Sequence, residues 1–548
     1  MIGKTTAQQD FFSVSGLAPS LVAADSFYGL LHHAGPLVLS DADFASMYDK
    51  KVGRPSIPPS LLATVLLLQR HDKVSDREAA RRVRCDLSWK YALHLPIDHM
   101  GFAHANLCHF RARLLVHGLE GLPFDKLNQL AVDLGLLQAN APRAMDSSHI
   151  FGAAAVEDTY ALLRSSMRKL LLKLVAKDAL LSESLIESLD LSAYQDRDKP
   201  SIDWDDAGAR SDYLQVIVRD ARRLLAALKG TVLVDDEVVG AASLLSDILN
   251  QDITGGSEVS TEADLDADDP LVAIKQGVAK DRTVSTVDTE MRHGRKHSSK
   301  RFDGYKVHIG EDLATELITD LEVTAGNAHD SEPVEAMLDA SAEKLGAYPS
   351  ELLGDTHYGT ADLRVALDKN GIDVVAKVAG GSAKDRFSKL DFVIDLERGE
   401  VTCPAGHTTS HHHQMRDDKG RKTRCYLFGA ARCGACSLRQ NCTSSANGRS
   451  IRLHYHEGTL AAARRYNQSE AFKTKYRRRA LVERKLSELL WRHDLRHGRY
   501  MGQAKIRLQA LWTAAVVNLK RLFKLLGALP YPLGTTPMPP KALLRVAT

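Results

Sequence analysis

Apolar positions in the first 130 residues recur with a helical period. "PSLLATVLLLQRH" (59–71) predicts one apolar helix. In "VSDREAARRV" the spacing of Ser75 and Glu78 matches a capping box, so a second helix is expected to start at Ser75. It stops near Asp86, and "LSWKYALHL" (87–95) predicts a short third one. Two short helices across a tight break make either a helix-turn-helix-like unit or part of a plain bundle with a basic surface. The first reading offers Arg77, Arg81, Arg82, Arg84 and Lys90 to phosphates.

Further along, the period alternates. "RAMDSSHIFG" (143–152) predicts a strand carrying Asp146, and residues 156 to about 250 return to a helical pattern. "GYKVHIG" (304–310) and "ELITDLEVT" (316–324) predict a hairpin-like strand pair. A helix (331–345), a strand (350–355), a helix (360–370) and a strand (372–378) follow in alternation. Strand pairs followed by alternating β and α units predict an α/β fold, a mixed sheet flanked by helices. A stretch rich in Cys, Gly, His and Ser (380–460) interrupts it. A long helix is then expected from about 470 to 492, further basic helix to about 526, and a loose Pro-rich tail, "LPYPLGTTPMPP".

Composition narrows the class. At 548 residues the chain exceeds one ordinary core, so about two to four domains are expected. Its 44% hydrophobic and 26% charged residues are those of a soluble globular protein. No apolar run nears the roughly 18 residues that span a bilayer, and "MIGKTTAQQDFF" has no signal-peptide core, so a cytoplasmic protein with no membrane partner is expected. The net charge of +3 hides an asymmetry. Residues 231–270 hold eleven acids and no Lys or Arg, and the part to 270 predicts an acidic linker or exposed loop. Residues 461–525 hold seventeen Lys or Arg against four acids, which is either a solvated face or a surface for a polyanion.

Asp146 and Asp355, the latter in "LLGDTHYGT" (352–360), lie within or at the end of apolar strands, where a lone aspartate is usually a turn or cap residue. A third carboxylate changes the picture. On a wheel of about 100° per residue, Phe472, Tyr476, Arg479, Glu483, Leu486 and Leu490 share one stripe, which places Glu483 on the inward face of its helix. An unpaired carboxylate there is costly, although an Arg479–Glu483 ion pair one turn apart is the plainer reading. Two strand aspartates and a helix glutamate can gather around Mg²⁺, which takes oxygen ligands. Two such ions roughly 4 Å apart activate a water or 3′-hydroxyl in phosphodiester displacement.

"AMDSSHI", "FDGYKVHIGED", "LLGDTHYGT", the Tyr476–Arg479–Glu483 spacing and "LRHGRYMGQAKIRLQALWTAAVVNLKRL" resemble the DDE transposases of bacterial insertion sequences, in particular the eleven-eighty-two branch. The resemblance spans most of residues 40–526. It implies a ribonuclease-H-like core in which Asp146, Asp355 and Glu483 hold Mg²⁺ or Mn²⁺, with Tyr476 and Arg479 in the signature ahead of the glutamate. Its function would be DNA transposition: binding the terminal inverted repeats, then cutting and joining strands. Double-stranded DNA, at element ends and at the target, is the implied partner, with a homo-oligomer assembled on it. Rival readings are an inactive transposase-derived DNA-binding protein and a nuclease that cuts without joining.

The expected organisation is an extension (1–39), a helical DNA-binding domain (40–130), the first part of the core (140–380) with a helical and acidic insertion (156–280), a Cys-rich insertion (381–460), the remainder of the core with basic helices (461–526) and a tail (527–548). Sequence preference is expected from residues 75–95, and phosphate contacts from Arg496, Arg499 and Lys505. The family signature has a lysine seven residues after the glutamate; this chain has Leu490, with Arg492 or Lys485 as substitutes.

Cys403, Cys433, Cys436 and Cys442 include a C-x2-C pair that suits a tetrahedral structural Zn²⁺, or they are buried free thiols, with Cys425 left over. His407 and His411–His413 are further possible ligands. Cys85 and Cys108 are expected in helix cores.

Overall fold

Six strands make the main sheet of the computed structural model, which describes residues 1–5, 12–49, 52–177, 179–196, 198–229, 235–255, 271–297, 299–379 and 386–527. They are β1 (Arg143–Phe151), β2 (Arg292–His297), β3 (Lys300–Asp312), β4 (Ile318–Ala325), β5 (Glu351–Leu353) and β6 (Asp373–Val375). Their order is β2-β3-β1-β5-β6, with β4 also on β3. β1 runs antiparallel to β3 from Arg143↔Asp312 to Phe151↔Gly304. It runs parallel to β5 only at Arg143 and Ala144. β1 therefore projects past its parallel neighbour, and Asp146 stands at that open end. Carboxyl ends of parallel strands are where such sheets leave room for a ligand.

The expected mixed sheet with flanking helices is present. β2, "RHGRKH", has no apolar alternation to announce it; it forms because β3 offers an open backbone edge beside Lys300–Gly304. One core joins the helices before residue 134, the sheet, and the helix Gln503–Gly527. Buried Asn518 stitches them together: its amide bonds Asn128 Oδ1 (3.0 Å) and both backbone groups of Ile318 (2.8 and 2.9 Å). The second half of the basic 461–525 stretch is thus largely a core helix.

Four helices (Thr159–Lys177, Ala179–Ser188, Ala207–Lys229, Asp236–Asp252) pack around an apolar cluster of their own. The last lies in the stretch expected to be helical to about 250: Asp235 caps it, accepting from Glu237 N at 2.9 Å, and acids suit the positive end of a helix. The acidic run at 256–270 and the Pro-rich tail from 528 lie outside the described residues. The Cys-rich stretch folds as two three-stranded sheets around Val401, Tyr426, Phe428 and Ile451. No helix of the described residues is long and apolar enough to cross a membrane.

Three expectations fail locally. The helix from 470 to 492 is broken into Glu470–Arg477, Ala480–Ser487 and a wide turn at Glu488–Arg492. Cys85 and Cys108 are exposed, because their helices bury Ala79 and Val83, and Leu107, Phe110 and Leu114, on other faces. The short helix Leu87–Ala92 buries Trp89, Lys90, Tyr91 and Ala92, so it presents little surface for a groove. Glu311 on β3 was not foreseen: it is 0% exposed, neither oxygen has a hydrogen-bond partner among the described residues, and burial pushes its carboxyl up to about 7.

Candidate active site

Asp146 and Asp355 reach one cleft by different local routes. β1 carries Asp146, whose carboxylate accepts from Ser147 N at 2.8 Å. β5 ends at Leu353, and a Cβ on Gly354 would lie 2.5 Å from Tyr358 Cβ, so glycine is needed to let buried Tyr358 close under the turn. Asp355 then caps that turn, accepting from His357 N at 2.7 Å. It is a cap residue, as the plain reading has it, and its carboxylate also faces the cleft.

Asp146, Asp355 and Glu483 line a single cleft of about 380 Å³, together with Asp330, Lys306 and Trp491. Glu483 corrects the sequence reading, since its side chain is 49% exposed and not inward. The tight turn at Arg478 and Arg479, with i→i+3 bonds, advances each residue by about 120° in place of 100° and shifts the face by roughly 40°. Glu483 moves from the centre of the apolar stripe to its rim. The Arg479–Glu483 pair forms at 2.6 Å, and Arg479 also lies 3.8 Å from Asp146. Its guanidinium stacks on the half-buried Tyr476 ring at 5.5 Å.

Among the described residues no three His, Cys, Asp or Glu side chains are drawn together as a ready metal site. The charge pattern nonetheless fits a cation. Burial, with the Asp355 and Glu483 charges, pushes the Asp146 carboxyl up to about 7, against the Ser147 bond and Arg479. Arg479 sits as the cation between Asp146 and Glu483.

A pH dependence follows. Because the folded-state pKa of Asp146 lies above its unfolded value of about 3.9, its stabilising contribution is complete below pH 4 and is lost as the pH rises through 7. Asp146→Asn should therefore melt higher than the parent at pH 8 in a chelator, by on the order of 2 °C, with the gap narrowed by more than half at pH 5. Calorimetry at the two pH values checks this. Equal melting at pH 8 would contradict it.

The residues expected to contact DNA divide into free and committed ones. Arg77 and Lys505 are exposed. Arg81 is exposed but paired with Glu78 at 2.7 Å, and Arg82 bonds Asp72 at 2.6 Å. Lys90 is 2% exposed and donates to the carbonyls of Ile97 and His99. Arg496 is 6% exposed and donates to His149 O at 2.7 Å. Arg499 donates to Val74 O (2.9 Å) and Lys73 O (2.7 Å), closing the end of the helix Pro59–Asp72. These last three are corrections: basic type and helical period announce a charge, but not a carbonyl that captures it. The sequence reading missed Arg477, Arg478 and Arg484, which are exposed around an open groove beside Glu483, and Arg295 and Lys296 on the cleft wall.

Cys403, Cys433, Cys436 and Cys442 line one small cavity of about 30 Å³ with His407. Burial raises the Cys442 thiol, and the other three sulfurs raise it further against Arg449. The four thiols share this cavity wall without being drawn together as a metal site, and Cys433 Sγ donates to Phe428 O at 3.0 Å. Cys425 is buried elsewhere and His411–His413 are exposed.

Residues 402–523 match the family model described as "Transposase DDE domain", and residues 20–113 match "Transposase domain (DUF772)". The first match includes Glu483 and the four cavity cysteines; neither includes Asp146 or Asp355. No curated protein and no solved structure matches the chain. These two segments are similar to transposase domains, one of them the DDE domain, and the segment 402–523 carries the Glu483 side of the cleft.

Proposed function

We propose that the chain binds the terminal inverted repeats of its own element and cuts and joins DNA strands there, in a ribonuclease-H-like core. The observation that carries this reading is the meeting of Asp146, Asp355 and Glu483 in one cleft from segments that lie far apart in sequence. These three carboxylates would hold Mg²⁺ or Mn²⁺, which supplies an activated oxygen nucleophile and charge stabilisation on the leaving oxygen. Arg479 balances Asp146 and Glu483, and its bond to Glu483 would have to be given up for these carboxylates to hold a metal. Ser147 N–H fixes Asp146, and His357 N–H fixes Asp355, so both oxygens are held in place before substrate arrives. Cys403, Cys433, Cys436 and Cys442 would hold a structural Zn²⁺ in the module ahead of the glutamate helix. A homo-oligomer assembled on the DNA completes the proposal.

DNA binding in this reading is shared between two surfaces. Arg477, Arg478 and Arg484 would grip phosphates without regard to sequence, while Arg77, Arg81 and Arg84, on the exposed side of the helix Asp76–Cys85, would set preference. Neutralising the first three together should weaken specific and random DNA alike and lower the salt slope by about 3, roughly one per phosphate contact. Neutralising the second three should narrow the gap between specific and random DNA. Competition binding across salt concentrations measures both. Discrimination lost with the first set and kept with the second would reverse the assignment. The function itself is tested by the DNA flanking the gene: the protein should bind and nick inverted repeats that bracket the frame, and an absence of such repeats would argue against it.

A further inference from the structure

Leu490 stands where the resemblance places a lysine, and it lines the cleft as a buried apolar side chain. Neither substitute on its helix fills the gap. Lys485 is 6% exposed and turns to Glu488 at 3.1 Å, while Arg492 is exposed and not part of the cleft wall. Arg479 is engaged with Glu483. Arg484 lines the groove beside Glu483 and not this cleft, so among the described residues the glutamate helix contributes no cation to the cleft wall.

A cation comes from the sheet instead. Lys306, on β3, lines the same cleft, and its ammonium is held by Ala328 O at 2.7 Å and Asp330 Oδ1 at 2.8 Å. An ammonium has three N–H donors, and among the described residues the third has no partner. Asp330 is itself fixed: burial acts to raise its carboxyl, but the Lys306 bond and charge and the Ser147 hydroxyl hold it below the usual range. A lysine normally loses much side-chain freedom on meeting a phosphate; one already clamped by two partners loses little. Resting on the reading above, we propose that Lys306 grips a backbone phosphate of the DNA strand lying in the cleft, with Asp330 as its positioning residue. The plain alternative is an ion pair that only secures the turn after β4.

Single methylphosphonates, which remove one phosphate charge at a time, separate the two. Binding to end DNA is measured in a chelator, where no cleavage is needed. Lys306→Ala should weaken binding about tenfold, and Lys306→Arg should recover part of the loss. At one methylphosphonate position near the cut site the parent and Lys306→Ala should bind equally. Asp330→Asn should weaken the parent but add nothing in the Lys306→Ala background. If Lys306→Ala lowers the melting temperature, Lys306→Gln replaces it in the same comparison. A difference that survives at every methylphosphonate position, or no difference on unmodified DNA, overturns the proposal. A protein that binds with this dependence but never cuts DNA with Mg²⁺ or Mn²⁺ overturns the transposase reading and leaves the phosphate grip standing.

Discussion

Asp146→Ala, Asp355→Ala and Glu483→Ala should each abolish strand cleavage, by at least about a thousandfold, while binding to end DNA changes little. Each variant removes one of the carboxylates that line the cleft, and none removes a cation that could meet phosphate. A hard divalent ion needs those oxygens to complete its shell. Arg479→Gln is the informative contrast, because it takes away the competing cation and leaves the ligands. The Mg²⁺ concentration for half-maximal cleavage should fall in Arg479→Gln and rise in any triad variant that retains residual activity. Gel-resolved cleavage across a metal titration reads all four proteins. Near-wild-type cutting by any alanine variant would remove that residue from the set.

The other large effect is expected in the Cys-rich module. Its apolar cluster is small, with Phe392, Val401, Tyr426, Phe428, Ile451 and Leu453 as its buried members. A module of this size commonly relies on a metal, and a structural Zn²⁺ contributes roughly 10 kcal/mol or more to folding. Tag-free protein should hold about one zinc per chain. Cys433→Ser with Cys436→Ser should lose it and become open to proteolysis between residues 386 and 455, while the main sheet and its helices keep their protection. Zinc-free parent protein, or an unchanged zinc content in the double variant, would refute the site.

Much of the sheet was legible because its signals are local. The β3–β4 hairpin shows as two apolar runs across a short gap, and Asp146 and Asp355 stand out as carboxylates at apolar strand ends. Ser75 caps its helix as the spacing predicts, accepting from Glu78 N at 3.2 Å, although Glu78 turns to Arg81 and Arg82 and not back to the cap. What failed depends on distant parts of the chain. The turn at Arg478 and Arg479 has no Gly or Pro to announce it; it accompanies the docking of Tyr476, which stacks on Phe472 at 5.1 Å and lies under Lys377 at 5.2 Å. Lys90, Arg496 and Arg499 look like solvated charges in a helical wheel, yet backbone carbonyls far away in sequence consume two of the three. Lys306 escaped notice for the opposite reason. Its partners at 328 and 330 follow the next strand, and no periodicity links them to β3.

A strand-joining assay tests the central claim most directly. The protein would be mixed with a labelled DNA end carrying a free 3′-hydroxyl, taken from the sequence that flanks its gene, and with a supercoiled plasmid. The account predicts labelled end joined to plasmid only when Mg²⁺ or Mn²⁺ is present, and none with Asp146→Ala. Joining that persists in a chelator or in Asp146→Ala, or nicking of the plasmid with no joined product, would contradict it.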